Sequence, residues 1–172
     1  MSDDEPEVET VVAAEPRLRR GSRALVVDAE DRLLLVLIRL PHADVWVTPG
    51  GGIEAGETPM AALHRELREE IGLVLAEDPP LVWRRTAVLA GSVTGYDGQV
   101  DDIHLVRVPA FEPAGLLSEA ELAAENVVGM RWWSAADLAA ADGVRFAPRQ
   151  LPSLFADLLR HGPPVEPLAL GL

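Results

Sequence analysis

Cysteine and lysine are both absent from the 172-residue chain, and aromatic residues make up only 5% of it. Without cysteine there is no disulfide, no thiol nucleophile and no thiolate-ligated metal. Long hydrophobic runs are also missing, since the longest aliphatic stretch, Leu33 to Ile38, is far too short to span a bilayer. The first residues, MSDDEPE, lack the basic and apolar regions of a signal peptide. These absences predict a soluble, cytoplasmic protein.

Positive charge is scarce, with 15 basic residues against 28 acidic ones and a formal net charge of −13. This balance argues against non-specific binding to nucleic acid or to an anionic membrane, because phosphate contacts need clustered cations. We therefore expect neither nucleic acid nor membrane as a partner. A phosphorylated small molecule stays compatible with this charge if a metal ion supplies the positive countercharge.

The chain length predicts one domain, and a hydrophobic fraction of 48% is enough to build a core. Residues 1–20 have no sustained apolar period, so we interpret them as a flexible acidic N-terminal tail. Residues 21–162 form the predicted domain. Residues 163–172 form a predicted Pro-rich C-terminal tail, in which the prolines exclude a regular helix.

Between these tails, strand-like and helix-like segments follow one another irregularly. The predicted strands are Ala24–Asp28, Leu33–Ile38, Val45–Val47, Leu81–Leu89, Val100–Val108 and Val127–Trp133. The first two predict a hairpin, whereas Gly91–Gly98 is rich in turn residues. A short helix is predicted over Ala135–Ala140 after Ser134, and a last helix from near Pro148 to Gly162. The irregular order indicates an α+β fold with a mixed sheet rather than a doubly wound α/β fold.

The stretch from Gly51 to Leu73 reads GGIEAGETPMAALHRELREEIGL and predicts a helix from about Pro59 to Ile71. Thr58 suits the N-cap, a proline follows at the first helical position, and Gly72 tolerates the left-handed backbone that ends a helix. At about 100° per residue, four apolar side chains of this helix form one stripe that faces the core: Met60, Leu63, Leu67 and Ile71.

Three glutamates, Glu66, Glu69 and Glu70, lie beside that apolar stripe on one side of the helix. Like charges at this spacing destabilise a bare helix by about 0.2–0.5 kcal/mol per pair. Hard cations such as Mg²⁺ or Mn²⁺ would reverse the sign, because they prefer oxygen ligands. The alternative is a solvated acidic face, offset by the two arginines of the same helix. The preceding segment, Pro49–Gly56, favours metal binding because its four glycines let carbonyl oxygens approach an ion closely.

The spacing of glycines and charged residues in this segment is similar to the Nudix box, with no position missing. The match runs Gly51, five residues, Glu57, seven residues, Arg65-Glu66-Leu67, one residue, Glu69-Glu70, one residue and Gly72-Leu73. The resemblance implies a Nudix-type α/β/α sandwich over residues 20–162. It also implies cleavage of a nucleoside diphosphate linked to another group, with Mg²⁺ or Mn²⁺ as the cofactor.

By position, the resemblance assigns metal binding to four groups: the backbone carbonyl of Gly50 and the carboxylates of Glu66, Glu69 and Glu70. Arg65 and Glu57 correspond to the pair that braces the loop against the helix, and their spacing lets them meet two helical turns apart. Metal ions screen diphosphate charge and lower the pKa of an attacking water, whose proton a carboxylate can accept. Glu66 or Glu69 is the predicted general base.

Acids outside the box that could complete the site are Asp97, Asp101, Asp102, Glu119, Glu121 and Glu125. Glu125 precedes the Val127–Trp133 strand, where many proteins that resemble this one place a metal-binding or catalytic acid, but a surface glutamate is the preferred interpretation of this residue. The candidate phosphate-binding residues, or ordinary surface arginines, are Arg39, Arg84 and Arg107. Trp46 either stacks on a base or packs in the core, whereas Trp132 and Trp133 face opposite sides of one strand.

The leading hypothesis is a Mg²⁺-dependent Nudix hydrolase that cleaves a phosphoanhydride with a metal-activated water. The alternative is a Nudix-fold module that binds or senses a nucleotide without turnover, which the intact set of carboxylates disfavours. An acidic structural domain explains neither the glycines nor the clustered glutamates. Nucleotide sugars, ADP-ribose, dinucleoside polyphosphates, oxidised dNTPs and NAD(H) stay open as substrates, and a homodimer is compatible with the resemblance.

Overall fold

The computed structural model describes residues 15–171, without the side chains of residues 89–93. Within these limits the chain has nine strands and four helices. The strands are β1 (Leu18–Val27), β2 (Leu33–Leu40), β3 (Ala43–Val47), β4 (Gly50–Gly52), β5 (Leu81–Val93), β6 (Tyr96–Arg107), β7 (Val127–Trp133), β8 (Phe146–Ala147) and β9 (Leu168–Leu170). The helices are α1 (Pro59–Ile71), α2 (Glu119–Ala124), α3 (Ala135–Ala140) and α4 (Leu151–His161). None of these helices is long and apolar enough to cross a membrane.

The strands form one mixed sheet in the order β8-β3-β2-β1-β6-β5-β9, with β4 paired to β1 and β7 paired to β2. The β1–β2 and β5–β6 pairs are antiparallel. In contrast, β1 runs parallel to β6, from Leu18 opposite Gly98 to Val27 opposite Arg107. The predicted α+β fold with a mixed sheet is therefore confirmed.

Alternate residues of β1 face opposite layers, as the pleat of a strand requires. Ala24 and Val26 belong to a core that includes α1, whereas Leu25 and Val27 belong to a core that includes α3 and α4. Burial on both faces explains why the centre of this strand reads as a continuous apolar run. The molecule is thus a sandwich with α1 on one face of the sheet and α3 and α4 on the other.

Ordered strands extend into both segments predicted as tails. β1 begins at Leu18 rather than Ala24, because its first residues pair with the distant start of β6. Residues 1–14 of the predicted N-terminal tail lie outside the described residues. In the predicted C-terminal tail, Leu168–Leu170 forms β9, which pairs in parallel with β5. The prolines exclude a helix there, as predicted, but they leave an extended segment that can join a sheet edge.

Local signals predicted most of the remaining elements correctly. α1, α3 and β7 have the predicted bounds. The segment Gly91–Gly98 is mostly strand, because β5 and β6 extend until only Thr94 and Gly95 separate them, and Gly95 adopts φ 82°. α2 and β8 were not predicted. β8 has only two residues, whereas α2 is as long as α3 and begins at an equivalent N-cap serine, Ser118, which was the signal that sequence reasoning missed. α4 begins at Leu151 rather than near Pro148.

Candidate active site on helix α1 and the glycine strand

α1 begins and ends where its capping residues predict. The Oγ1 atom of Thr58 accepts a hydrogen bond from the Ala61 N–H at 3.1 Å, and Pro59 occupies the first helical position. At the other end, Gly72 has φ 75°, in the left-handed region that favours glycine. The helix therefore presents its glutamates at fixed positions relative to the sheet.

The loop between β6 and α2 lies directly against the C-terminal end of α1. The Ala114 N–H donates to the Ile71 carbonyl at 3.2 Å, and the Leu117 N–H donates to the Glu69 carbonyl at 3.1 Å. A Cβ at Gly115 would overlap the backbone of Glu69, so only glycine permits this approach. The loop thereby satisfies carbonyls that a free helix end would leave without partners.

The three consecutive glycines of Pro49–Gly56 form β4, which pairs antiparallel with β1. This segment is therefore an ordered edge of the sheet. Gly50 has φ 121°, a conformation that side chains rarely adopt. A Cβ at Gly51 would overlap the carboxylate of Glu66. Glycine at these positions lets β4 lie directly beside the acidic side of α1.

Glu70 is the most deeply buried carboxylate of the helix, with 6% of its surface exposed. Its Oε2 atom accepts one hydrogen bond, from the Gly50 N–H at 3.0 Å. Burial raises the pKa of Glu70 to about 7, and the charges of Glu66 and Glu125 act in the same direction. The Gly50 N–H and the positive charge of Arg23 lower it, but they do not compensate fully.

Glu66 lies one turn before Glu70, and burial also raises its pKa. Arg65 opposes this shift, because its Nη1 atom lies 2.9 Å from Oε1 of Glu66. The charge of Glu125 raises the pKa of Glu66 as well. Glu125 is therefore close enough to influence both buried acids, whereas the sequence placed it only in the region before β7.

Arg65 and Glu57 make the contact that their spacing predicts. The Nε and Nη2 atoms of Arg65 each donate to Glu57 at 2.9 Å, and Nη2 also donates to the Gly52 carbonyl at 3.1 Å. The hydrogen bonds from Arg65 lower the pKa of Glu57. Glu69 is a further neighbour, with Oε2 at 3.4 Å from Nη1 of Arg65. One guanidinium thus joins β4, the loop and the helix, although its role in activity stays a prediction.

The carbonyl of Gly50, predicted as a metal ligand, accepts a hydrogen bond from Nη1 of Arg23 at 3.1 Å. The same nitrogen donates to the Thr48 carbonyl at 2.9 Å. On its other side, Nε of Arg23 lies 3.3 Å from Oδ1 of Asp101. Sequence reasoning missed Arg23 as a site residue. The available signal was its position directly before the apolar end of β1.

The donor chemistry of this cluster fits a hard divalent cation. Glu66 and Glu70 are partly desolvated oxygen donors with raised pKa values, and a cation would stabilise their ionised forms. Among residues 15–171, no three His, Cys, Asp or Glu side chains are already close enough together to hold an ion. In the structure, hydrogen bonds to Arg65, Arg23 and the Gly50 N–H occupy the predicted ligands instead.

The three arginines predicted to bind phosphate are engaged elsewhere. Their partners are Asp44 for Arg39 at 3.3 Å, Asp102 for Arg84 at 2.6 Å and Asp31 for Arg107 at 2.7 Å. Their side chains are more than half exposed, so the surface alternative describes them. Among the other predicted acids, Asp97 accepts the Arg17 N–H, and Glu121 forms a capping box with Ser118 at the start of α2.

The tryptophans contribute to the two cores. Trp46 packs edge-on against Trp133, with ring centroids 5.1 Å apart, which is the core alternative rather than the stacking one. Trp133 is 4% exposed and also contacts Phe146. Trp132 faces the opposite layer, where its Nε1 atom donates to the Phe111 carbonyl at 3.2 Å. The two adjacent rings therefore face opposite sides of β7, as predicted.

Comparison with known proteins extends the resemblance from the Nudix box to most of the chain. The family model described as NUDIX domain matches residues 17–154. The RNA pyrophosphohydrolase of Halorhodospira halophila is 48% identical over 48 residues, covering 28% of this chain and 26% of that protein. The RNA pyrophosphohydrolase of Sulfurovum sp. is 43% identical over 72 residues, covering 38% of this chain and 45% of that protein. The chain therefore spans less than half the length of these curated relatives.

Solved structures with a similar fold include two Nudix proteins. The MutT NUDIX hydrolase from Burkholderia pseudomallei has a TM-score of 0.61 and 25% identity, covering 80% of this chain and 97% of that chain. The NUDIX domain of Shewanella oneidensis NrtR, solved in complex with ADP ribose, has a TM-score of 0.62 and 18% identity, covering 90% and 99%. At that identity the second likeness shows the fold alone. With the box residues gathered between α1 and β4 and the family model matching most of the sequence, this chain belongs to the Nudix family.

Proposed function

We propose that this protein is a divalent-metal-dependent Nudix hydrolase that cleaves the phosphoanhydride of a nucleoside diphosphate linked to another group. The observation that carries the proposal is the pair of carboxylates formed by the buried Glu70 and the partly buried Glu66, one helical turn apart beside β4. Burial of two neighbouring acids is unfavourable unless a cation compensates them. Membership of the Nudix family supports the same chemistry.

Glu66, Glu69 and Glu70 would hold the ion together with the Gly50 carbonyl. When bound, the ion would screen the diphosphate, polarise a phosphoryl oxygen and lower the pKa of the attacking water. The N–H of Gly50 keeps the Glu70 carboxylate beside β4. This arrangement orients one ligand before any ion binds, which reduces the reorganisation that binding requires.

Arg65 and Arg23 would act as positioning residues. Arg65 holds the Gly52 carbonyl and Glu57 against the helix, and Arg23 holds the carbonyls of Thr48 and Gly50. Arg65 reaches β4 from α1 and Arg23 reaches it from β1, so the strand that supplies the carbonyl ligand is held from both sides. Loss of either would misplace the ligands rather than remove one.

A proton from the attacking water needs a carboxylate acceptor. Glu66 and Glu69 are the candidates within the box, and both approach Nη1 of Arg65. Glu125 is the candidate from outside the box, because its charge acts on Glu66 and Glu70. We propose that Glu125 completes the site as an additional ligand or proton acceptor.

A nucleotide-type substrate is supported by the names of the similar proteins. The curated relatives are RNA pyrophosphohydrolases, and the NrtR domain was solved with ADP ribose. These names concern other proteins, so for this chain the group beyond the diphosphate is part of the proposal. A homodimer and a cytoplasmic location stay predictions from the sequence.

A substrate screen with the full chain tests the proposal. Nucleotide diphosphate compounds are incubated with the protein and Mg²⁺, Mn²⁺ or a chelator, and products are identified by mass spectrometry. We expect turnover that requires the metal. Glu66→Gln should lower kcat/KM by at least about 100-fold. The same variant should weaken Mn²⁺ binding measured by electron paramagnetic resonance.

Glu77→Gln is the matched control, because Glu77 is an exposed acid beyond the end of α1. It should keep both the turnover and the Mn²⁺ affinity of the wild-type protein. Turnover that survives chelation, or that Glu66→Gln leaves intact, would contradict the proposal. Nucleotide binding without turnover across the panel would instead support a binding module.

A further inference from the structure

A cleft between β3 on one side and β5 and β6 on the other carries arginines that the proposed chemistry at α1 does not use. It consists of two adjoining cavities, a narrow one of about 230 Å³ and a wide one of about 860 Å³. Both are lined by Arg85 and Val45, so they lie side by side. We refer to the narrow part as the inner cavity and the wide part as the outer cavity.

The inner cavity begins at the candidate active site. Arg23, whose Nη1 atom holds the Gly50 carbonyl, is part of its lining. Its walls are largely aliphatic, with Val47 and Ile103 among the lining side chains. A space of this kind beside a diphosphate site suits the flat apolar faces of a nucleobase.

Two arginines share one buried carboxylate in the inner cavity. Asp101 is 2% exposed, and its oxygens lie 3.3 Å from Nε of Arg23 and 3.4 Å from Nη1 of Arg85. Gln99 also donates to Asp101, at 2.8 Å. One negative charge therefore faces two positive charges, which leaves the inner cavity positive.

The outer cavity adds positive charge without adding an acid. Its lining contains Arg85, Arg145 and Arg149 and no aspartate or glutamate. Within the described part of the chain, Arg145 and Arg149 form no ion pair, and the buried Nε atom of Arg85 has no hydrogen-bond partner. In a protein with a net charge of −13, the guanidinium groups of Arg145 and Arg149, together with that of Arg85, which also pairs with Asp101, form a local site for an anion around one cavity.

We propose that the outer cavity binds a second phosphate of the substrate, one esterified to the ribose of the nucleoside whose diphosphate lies at α1. The proposal rests on the proposed function, because the diphosphate site defines where the nucleoside begins. The base would occupy the inner cavity, and the phosphate on the ribose would extend to the arginines of the adjoining outer cavity. The substrate class is thus a nucleoside with a 5′-diphosphate and a 2′- or 3′-phosphate ester.

Such a phosphate has two sources, a terminal phosphate monoester or the phosphodiester to the next nucleotide of an oligonucleotide. The second source would revise the expectation that nucleic acid is not a partner. That expectation came from the overall charge, which limits non-specific binding along a surface. A single 5′ end requires only the local positive charge of this cleft.

Equilibrium binding by isothermal titration calorimetry tests the proposal. The probes are adenosine 5′-monophosphate, adenosine 3′,5′-bisphosphate and the 5′-phosphorylated dinucleotide pApA. In the wild-type protein, the bisphosphate or the dinucleotide should bind about tenfold more tightly than the monophosphate. Arg145→Gln and Arg149→Gln should remove this advantage and leave monophosphate binding unchanged. Loss of affinity for pApA would identify the phosphodiester source, and loss for the bisphosphate alone the monoester source.

Arg160→Gln is the matched control, because Arg160 is exposed on α4 and pairs with Asp157. It removes the same charge and should leave all three affinities unchanged. Unchanged melting temperatures establish that the exposed substitutions preserve the fold.

Equal wild-type affinity for all three probes would overturn the proposal, as would variants that weaken monophosphate binding to the same extent. These measurements need no turnover. A failed hydrolysis screen would therefore reject the proposed function without altering the result for the outer cavity.

Discussion

Two carboxylates are hidden from water to almost the same degree, but their pKa values move in opposite directions. Asp28 is 1% exposed and Glu70 is 6% exposed. Burial acts to raise the pKa of Asp28, but hydrogen bonds from the backbone and side chain of Arg32 and from the Glu30 N–H hold it below its ordinary value. Burial raises the pKa of Glu70 to about 7, because the single N–H of Gly50 compensates less.

The contrast teaches that the partners of a buried acid, and not its burial alone, distinguish a structural carboxylate from a candidate ligand. Asp28 closes the β1–β2 turn and has donors for both of its oxygens. Glu70 has a donor for only one of its oxygens, so it is the carboxylate that gains from a cation. Four measurements test this distinction.

Catalysis should separate the two acids most strongly. Glu70→Gln should lower kcat/KM by at least about 100-fold, because it removes a proposed metal ligand. Asp28→Asn should stay within about twofold of the wild-type value, because its contacts are confined to the turn. Both are measured on a substrate found in the screen, with folding checked by circular dichroism. Equal losses in the two variants would erase the distinction.

The free energy of unfolding without metal should depend on pH through Glu70. Its folded pKa of about 7 exceeds the ordinary 4.5, so the folded state binds more protons between these values and stability falls as pH rises. Glu70→Gln lacks this titration. At pH 8 in chelator, it should exceed wild-type stability by an amount of the order of 3 kcal/mol, and the two should converge below pH 4.5. Parallel urea-denaturation profiles across this range would show that the carboxyl is not desolvated.

Asp28 should show the opposite pH dependence. Its folded pKa is lower than the ordinary 3.8, so its contribution is complete above that value and is lost as pH falls through the folded pKa. Asp28→Asn should therefore lower the free energy of unfolding by about 2 kcal/mol at pH 7, with a smaller loss below pH 4. Asp157→Asn, at an exposed ion pair, is the control. If Asp28→Asn lowered the free energy of unfolding by the same amount at every pH, the charge of Asp28 would contribute nothing to stability.

We expect the smallest effect on stability at an exposed Arg–Asp ion pair whose contact distance is as short as that between Arg32 and Asp28. Arg107 lies 2.7 Å from Asp31, but both side chains are more than half exposed. Arg107→Ala should change the free energy of unfolding by less than about 0.5 kcal/mol, because solvent screens the pair. Denaturation at low and high salt measures this. A loss of unfolding free energy as large as that of Asp28→Asn would show that an ion pair stabilises the fold even when it is exposed.

The parts of the site that depend on local chemistry could be predicted from the sequence. Thr58 and Gly72 mark the ends of α1, and the helical period places Glu66 and Glu70 on one side. The contact between Arg65 and Glu57 also follows from spacing along one segment. All of these features involve residues close together in the chain, where propensity and periodicity are informative.

The parts that depend on distant pairing could not be predicted. Arg23 reaches Gly50 because β1 and β4 pair, and it reaches Asp101 because β1 and β6 run parallel. Among the arginines chosen from the sequence, Arg84 is instead paired with Asp102 on the adjacent strand, and Arg107 with Asp31 in the β1–β2 turn. Strand order determines which charges meet, and a single sequence contains no direct record of that order.

The loop that bonds to the last carbonyls of α1 also leads into α2, which ends one residue before Glu125. Glu125 therefore takes its place from the same helix end that carries Glu69 and Glu70. Insertions of even one residue between Ala114 and Leu117 would shift this acid along with its anchor. With Glu125 in the role proposed above, evolutionary changes in the length of this connection would have to preserve its backbone anchors, or be matched by a new acid delivered from another part of the chain.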